Sequence, residues 1–290
     1  MKNLLVPTDF SPESHHAFEV ALRIAQRAGG SVTLLHVVEL PEGVNISTFG
    51  GPVGGDMSNS GGDGMERLFV IKLLEATKRR MHNLMAEGRR IAEGVPVRDV
   101  VSSDRIGPAI LKTIEDHRID LVVMGAQGHT AMEHFFMGSN TERMVRMAPC
   151  PVLAVKHQHK DFEVRKIVFP SDFSEEVDRT APTLQKIQEL FPDAKLHLLH
   201  VTHSSDPKAS TSSLERMRAF AQRHNLRNVS LDLFTDANER TGIQHFSRET
   251  NADMIVLPTH GRTGVNRYLH ASIAENVATH AYPPVLTFRF

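Results

Sequence analysis

The sequence has almost no cysteine, no tryptophan and almost no net charge. Cys150 is its only cysteine, which excludes an internal disulfide and a cysteine-based metal cluster. The formal net charge is −1, so no global basic field would recruit nucleic acid or an anionic lipid surface. No apolar run approaches the roughly 20 residues of a membrane-spanning helix, and the apolar start is too short for a signal peptide. We therefore expect a cytoplasmic protein that enters no membrane and binds no nucleic acid.

The chain contains two copies of one sequence pattern. Residues 7–11 read Pro-Thr-Asp-Phe-Ser, and residues 170–174 read Pro-Ser-Asp-Phe-Ser. Later landmarks recur in the same order, including the final apolar segment, at 152–155 and again at 285–288. The 290 residues, 40% of them hydrophobic, suffice for two domains of ordinary size. We predict a duplication, with one domain at 1–157, a polar linker, and a second domain at 163–290.

Each copy alternates short apolar runs with amphipathic segments. Such alternation predicts an α/β fold in which a parallel sheet carries helices on both faces, with five strands in each copy. The first copy also has a glycine-rich segment at 43–64, which we expect to be a mobile loop, followed by a long amphipathic helix. The second copy has a polar stretch at 202–213 instead, followed by a shorter helix at 214–224.

A glycine-rich loop follows the fourth strand of the first copy. Gly125 and Gly128 allow a sharp turn and a close approach of the backbone to a ligand. Gly138 and Ser139 fall where the next helix begins, so bare N–H groups and the positive end of the helix dipole face the loop; Thr141 adds a hydroxyl. A turn alone would explain one glycine pair, but three glycines ending on a Gly-Ser helix start favour a phosphate cradle. The spacing fits neither a P-loop nor the dinucleotide fingerprint.

Two further segments reach the same edge of the predicted sheet. Ligands of open α/β sheets bind outside the carboxyl ends of the strands. Pro7, Thr8 and Asp9 follow the first strand, and the Asp9 carboxylate can accept a hydrogen bond from a ribose hydroxyl. Val37 ends the second strand, where its backbone can pair with the edge of an adenine. Together with the cradle, these groups predict a nucleotide site.

These motifs resemble those of the universal stress protein family, and the resemblance to a tandem member covers nearly the whole chain. ATP-binding members carry Gly, two residues, Gly, nine residues, then Gly and Ser or Thr, and this chain fits that spacing without a gap. The resemblance implies a Rossmann-like, adenine nucleotide alpha hydrolase-like fold, with strand order 3-2-1-4-5. It further implies ATP, with Mg²⁺ on its phosphates, held by residues of the first copy: Pro7, Thr8, Asp9, Val37, Gly125, Gly128, His129, Gly138, Ser139, Asn140 and Thr141.

The family also pairs through its last strands, so the resemblance implies either an intramolecular pseudo-dimer or a homodimer. The second copy departs from the ATP pattern, with Pro258 in place of the first glycine and Ala271 in place of the third. Proline removes an N–H and fixes φ, and alanine adds a Cβ where phosphate would approach. We predict that the second copy binds ATP far more weakly or not at all, and serves chiefly as a partner for the first.

The sequence leaves three hypotheses for the function open. The favoured one is an ATP-binding stress-response and signalling module, because no triad or carboxylate pair stands beside the cradle. The second is a slow nucleotide hydrolase or transferase, and the third is a nucleotide-free adapter. The 17 histidines complete no zinc pattern, so we interpret them as surface or packing residues and predict no metal site.

Overall fold

The computed structural model describes residues 1–38, 63–126, 139–159, 161–203, 207–259, 277–278 and 280–289. Most of the glycine-rich segment at 43–64 and most of the loop after the fourth strand lie outside these ranges. None of the helices within them could cross a membrane: even the longest, with 29 residues, carries charged side chains along its length.

The first half alternates strands and helices in the predicted order. Its elements are β1 (Asn3–Pro7), α1 (Pro12–Ala28), β2 (Ser31–Val37), α2 (Asp63–Ile91), β3 (Val97–Ser102), α3 (Ile106–Asp116), β4 (Leu121–Gly125), α4 (Ser139–Met147) and β5 (Val152–Val155). The first helix has strong local signals at both ends, because Ser11 caps it, Pro12 begins it and Gly29 ends it in the left-handed conformation at φ 60°.

The second half repeats this order with one local change. Its elements are β6 (Lys166–Pro170), a 3-10 helix (Glu175–Thr180), α5 (Ala181–Leu190), β7 (Lys195–Thr202), α6 (Pro207–Arg223), β8 (Val229–Thr235), α7 (Glu239–Glu249), β9 (Met254–Thr259) and β10 (Val285–Arg289). The 3-10 helix stands where the first half has the opening turns of α1. The next helix, α6, begins at Pro207 rather than near residue 214, because a proline in the first turn starts a helix without losing a hydrogen bond.

All ten strands form one sheet, with the order β3-β2-β1-β4-β5-β10-β9-β6-β7-β8. Within each half the strands are parallel and follow the implied order 3-2-1-4-5. The two halves meet where β5 and β10 pair antiparallel, with Leu153 opposite Leu286. The two five-stranded parallel sheets that the sequence predicts are therefore joined, within the described residues, into one continuous sheet. Each last strand has a free edge within its own half, and the other half supplies the matching edge inside the same chain.

Two apolar layers, one on each face of the sheet, cross from one half into the other. One layer packs α1, α2, α5 and α6 against the sheet and includes Phe18, Phe169 and Phe220. The other packs α3, α4 and α7 against the opposite face and includes Ile110, Met144 and Phe246. Helices thus cover both faces, which leaves the carboxyl ends of the strands as the place where a ligand can reach the backbone.

Candidate functional site

A tight turn follows β1, and side chains of the turn itself make several of its hydrogen bonds. The hydroxyl of Thr8 accepts from the backbone N–H of Phe10 at 3.0 Å. Ser14 gives its only hydroxyl hydrogen to the carbonyl of Ser11, so the hydroxyl of Thr8 donates to Ser14 Oγ at 3.1 Å. Phe10 adopts φ 64°, a left-handed conformation that costs an aromatic residue about 1–3 kcal/mol. The turn is therefore a defined and strained structure.

Asp9 lies at the exposed tip of this turn. One carboxylate oxygen, Oδ1, accepts from the Ser11 backbone N–H at 3.0 Å and from the Ser11 hydroxyl at 2.5 Å. Burial raises the pKa of Asp9, but the hydrogen bonds from the Ser11 hydroxyl and backbone N–H outweigh it and help to hold the pKa below its ordinary value. Asp9 is thus an anion at neutral pH. Its second oxygen can accept a hydrogen bond from a ligand.

The end of β2 presents backbone groups to the same place. The N–H of Thr8 donates to the carbonyl of Leu35, and the N–H of Val38 donates to Ser102 of β3 on the other side. Because alternate residues of a parallel strand face opposite neighbours, the N–H and C=O of Val37 point to the β1 side. They lie beyond Pro7, where β1 has ended. Val37 is half-buried, so its backbone N–H and C=O can form hydrogen bonds with the edge of a planar ligand group.

Gly125 ends β4 and lies against the first turn of α1. A Cβ there would come within 2.5 Å of the carbonyl carbon of Glu13 and 2.7 Å of the backbone nitrogen of Ser14. The structure thus gives this glycine a packing reason, in addition to the ligand contact that the sequence predicts. Thr141 in the first turn of α4 is buried, and its hydroxyl donates to the carbonyl of Gly125 at 3.0 Å. This bond ties the start of α4 to the end of β4.

The remaining predicted site residues fall partly outside the described residues. Gly128, His129 and Gly138 lie there, and Ser139 is described only as the first residue of α4. Asn140 follows it in the same helix and is exposed. The described ends of β1, β2 and β4 therefore meet at one edge, while the predicted phosphate contacts stay a prediction.

The second half keeps the turn but not the glycine. Phe173 has φ 55°, and its N–H donates to the hydroxyl of Ser171 at 3.1 Å. The N–H of Ser174 donates to Oδ1 of Asp172 at 3.1 Å, as Ser11 does to Asp9. Pro258 lies in β9 at the place of Gly125, and the segment after Ser174 is the 3-10 helix. The two halves thus match at the aspartate turn and differ at the end of the fourth strand.

Sequence reasoning missed the residues that build the turn. The hydroxyl of Ser11 caps α1 and also bonds Asp9, a second role that the sequence pattern does not indicate. The Nδ1 of His36 lies 2.7 Å from the carbonyl oxygen of Thr8. The sequence does carry a signal for this role of His36, because the second half repeats both the aspartate turn, at 170–174, and a histidine, at position 200.

Two further kinds of reactive group could form a chemical centre within the described ranges: a metal-binding cluster and a thiol. No group of three or more histidine, cysteine or acidic side chains there could hold a metal ion. Cys150 is half-buried, and burial, with a contribution from Asp120, raises the pKa of its thiol to about 12. A thiol with that pKa is protonated at neutral pH and is a poor nucleophile.

Taken together, these features define a duplicated, doubly wound α/β protein with its polar edge at the carboxyl ends of the strands. The sequence model of the Universal stress protein family matches residues 1–156 and 163–289. The chain therefore belongs to the universal stress protein family and carries two copies of its domain in tandem.

Individual relatives agree with this assignment. The chain is 24% identical over 303 residues to universal stress protein Slr1230 of Synechocystis sp., with all of both chains covered. It is 29% identical over 158 residues to universal stress protein MJ0577 of Methanocaldococcus jannaschii, covering 54% of this chain and 96% of that protein. The crystal structure of a universal stress protein from Archaeoglobus fulgidus superposes with a TM-score of 0.70 at 18% identity, covering 99% of this chain and 98% of the other.

Proposed function

We propose that the chain is a cytoplasmic stress-response module that binds ATP in its N-terminal half. The observation that carries this proposal is the meeting of three strand ends at one edge: an ionised Asp9, the Val37 backbone and the β4–α4 junction. The carboxylate would accept from the ribose, and the Val37 backbone would pair with the adenine. Pro7 and Thr8 would line the floor between them.

The phosphate end of the site is argued from sequence spacing and from the junction at Thr141. Gly128, Gly138 and Ser139 would present backbone N–H groups to the phosphates, with His129 and Asn140 beside them. The hydroxyl of Thr141 holds the start of α4 against Gly125, so the N-terminal end of that helix is directed toward the loop. Mg²⁺ would neutralise part of the phosphate charge. Among the described residues that we place at this edge, Asp9 is the ionised carboxylate, and we assign it to the ribose rather than to the phosphates, which favours binding over turnover.

The difference between the halves supports a single ATP site. Asp172 sits in the same kind of turn as Asp9, so the ribose end is available in both halves. Pro258, however, lacks an N–H and carries a ring where Gly125 has no side chain. We therefore place ATP in the N-terminal half, and regard the C-terminal half as its structural partner.

Equilibrium dialysis with labelled ATP tests this proposal, using Asp9→Asn and its counterpart Asp172→Asn as a matched pair. The wild type is expected to bind one ATP per chain. Asp9→Asn removes a charged acceptor and should weaken binding about tenfold or more, whereas Asp172→Asn should leave it unchanged. Gly261 follows Gly128 by 133 positions, as Pro258 follows Gly125, so Gly128→Val paired with Gly261→Val tests the phosphate loop in the same way.

Four results would contradict the proposal. Two equivalent ATP sites, or an equal loss for both aspartate variants, would refute the N-terminal location. Turnover abolished by Asp9→Ala while ATP still binds would make the protein an enzyme. No ATP binding by the wild type, with no nucleotide released from freshly purified protein on mass spectrometry, would leave the adapter function.

A further inference from the structure

A histidine holds the aspartate turn in each half of the molecule. The Nδ1 of His36 lies 2.7 Å from the carbonyl oxygen of Thr8, and the Nδ1 of His200 lies 3.0 Å from that of Ser171. A carbonyl oxygen only accepts, so each imidazole donates from Nδ1 and is held in that tautomer. Each carbonyl belongs to the residue directly before the aspartate. The donated bond therefore orients the peptide plane from which the aspartate side chain projects.

The same histidine packs on the strained residue of the turn. The His36 and Phe10 rings lie 4.5 Å apart with a 40° tilt, and the guanidinium of Arg80 lies 5.6 Å from the centre of the Phe10 ring. A left-handed phenylalanine persists only where its surroundings hold it there. His36 does this with two contacts, one to the backbone before Asp9 and one to the side chain after it.

We propose that His36 is a positioning residue for nucleotide recognition: it aims the free carboxylate oxygen of Asp9 at the ribose hydroxyls. This inference rests on the proposed ATP site. Oδ1 of Asp9 is already bound to Ser11, so the direction of Oδ2 is set by the backbone of the turn. That backbone is held from outside the turn by the bond from His36. Without this bond, Phe10 can relax from its strained conformation and Asp9 turns with it.

A purely structural role makes a different prediction. If His36 only supported the fold, its loss would lower stability and weaken every nucleotide equally. If it positions Asp9, its loss removes selectively the preference for a ligand that has ribose hydroxyls. The ratio of the dissociation constants of 2′,3′-dideoxy-ATP and ATP therefore separates the two roles.

The test compares His36→Asn with His36→Gln by isothermal titration calorimetry. The amide nitrogen of asparagine replaces Nδ1 and can still donate to Thr8, whereas that of glutamine replaces Nε2 and points elsewhere. The wild type and His36→Asn are expected to prefer ATP over the dideoxy nucleotide about tenfold or more. His36→Gln should lose that preference as Asp9→Asn does. The double variant, with His36→Gln and Asp9→Asn together, should lose no more of the preference for ATP than either single variant. The matched control, His200→Gln, should bind like the wild type.

The possible outcomes of these titrations distinguish failure of the proposed function from failure of this inference. A wild type that binds no ATP refutes the proposed function, and this inference with it. A wild type that binds ATP and the dideoxy nucleotide equally refutes the contact between Asp9 and the ribose, and with it this inference, while ATP binding in itself stands. An unchanged preference in His36→Gln, or equal weakening of both nucleotides, also overturns it. Should His36→Gln fail to fold by circular dichroism, His36→Phe replaces it, because its ring can still pack on Phe10 but has no N–H to donate to the carbonyl of Thr8. A preference retained in that variant would overturn the inference.

Discussion

Gly125 shows how one missing side chain sets the position of a helix. The first turn of α1 packs directly on this residue, and the atoms that a Cβ would meet belong to the backbone of Glu13 and Ser14. Backbone cannot swing away as a long side chain can, so any side chain at 125 must displace α1 or β4. The same first turn carries Ser11 and adjoins Asp9. Packing at Gly125 and the position of Asp9 are therefore coupled.

Gly125→Ala is expected to lower the free energy of unfolding by about 1–3 kcal/mol, because the new Cβ would sit 2.5 Å from a backbone carbon. Urea unfolding followed by circular dichroism measures this. Gly107→Ala is the matched control: its Cβ would meet only the flexible side chain of Arg143 at 3.3 Å, so the cost should be well below that at 125. Equal effects at the two positions would contradict the packing role of Gly125.

Ser11 is the second residue with two roles at this edge. Its hydroxyl accepts from the N–H of Ser14 as the cap of α1 and donates to Asp9. Because the pKa of Asp9 is depressed in the folded state, its ionisation adds stability above its ordinary pKa. That stability is lost as the pH falls through the folded pKa.

Ser11→Ala should therefore cost about 1 kcal/mol of unfolding free energy at neutral pH through the lost cap, and should raise the pKa of Asp9. Denaturant titration gives the first value, and carboxyl chemical shifts followed against pH give the second. Ser174→Ala is the control, because Ser174 makes no side-chain cap bond at the start of the 3-10 helix. An Asp9 pKa that does not move in Ser11→Ala would refute the assigned bond.

At the scale of elements, β5 and β10 decide the architecture. They pair antiparallel, Leu153 and Leu286 lie opposite each other in the apolar layer, and Thr287 donates to the carbonyl of Val152. Arg27 of α1 extends the contact, since its guanidinium lies 5.5 Å from the centre of the Phe191 ring at the end of α5. The halves are thus joined by strand pairing and by side chains as well as by the linker.

Cutting the linker should accordingly leave the two halves together. A protease site inserted near residue 160 and then cleaved is expected to give two fragments that co-elute on size exclusion. Leu286→Arg places a charge in the apolar layer opposite Leu153 and should release them. Lys195→Arg, at an exposed position, is the control and should not. Fragments of the wild type that separate at once would show that the linker alone holds the halves.

At the scale of the whole molecule, basic groups gather where the halves join. Lys156 follows β5, and its ammonium group donates to the carbonyl of Ala281 at 2.9 Å. Burial lowers the pKa of Lys156 to about 7. Burial also lowers the pKa of His157 and of His159, with contributions from Lys156 and His16 for the first, and from His157 and His16 for the second. The junction therefore favours neutral side chains.

The unfolded chain binds more protons than the folded one wherever such a pKa is depressed, so stability rises with pH there. For Lys156 this range runs from about pH 7 to its ordinary pKa of 10.5. Lys156→Met should therefore raise the unfolding free energy by about 1–4 kcal/mol at pH 7, and the gain should vanish near pH 10.5. Chemical unfolding across this range tests it, with Lys195→Met as the exposed control. A gain independent of pH would show that packing, not charge, is responsible.

Below pH 6.5 the histidines of the junction cause a second loss of folding stability. The pKa values of His157 and His159 are depressed in the fold, so acidification protonates the unfolded chain first and stability falls. The expected measurement is a steeper decline of the melting temperature between pH 6.5 and 5.5 in the wild type than in a His157→Gln, His159→Gln variant. Identical slopes would contradict the role of these side chains.

The sequence by itself determined the duplication, the α/β class and the order of elements, because apolar periodicity, caps and glycines act over a few neighbouring residues. It also located Asp9 and Val37 at strand ends, and its resemblance to the family implied that the last strands pair. The sequence did not predict two features of the second half: the 3-10 helix at the position that corresponds to the first turns of α1, and the start of α6 at Pro207. Both also depend on packing against residues that are distant in the sequence.

Only the tertiary structure decided that ten strands form one sheet, that Gly125 is needed by α1, and that His36 holds the carbonyl before Asp9. Each depends on groups far apart along the chain: Leu153 with Leu286, Gly125 with Glu13, and His36 with Thr8. A sequence pattern records which residues can turn, pair or ionise. The distance and direction between two of them exist only after the chain has folded and excluded water from between them.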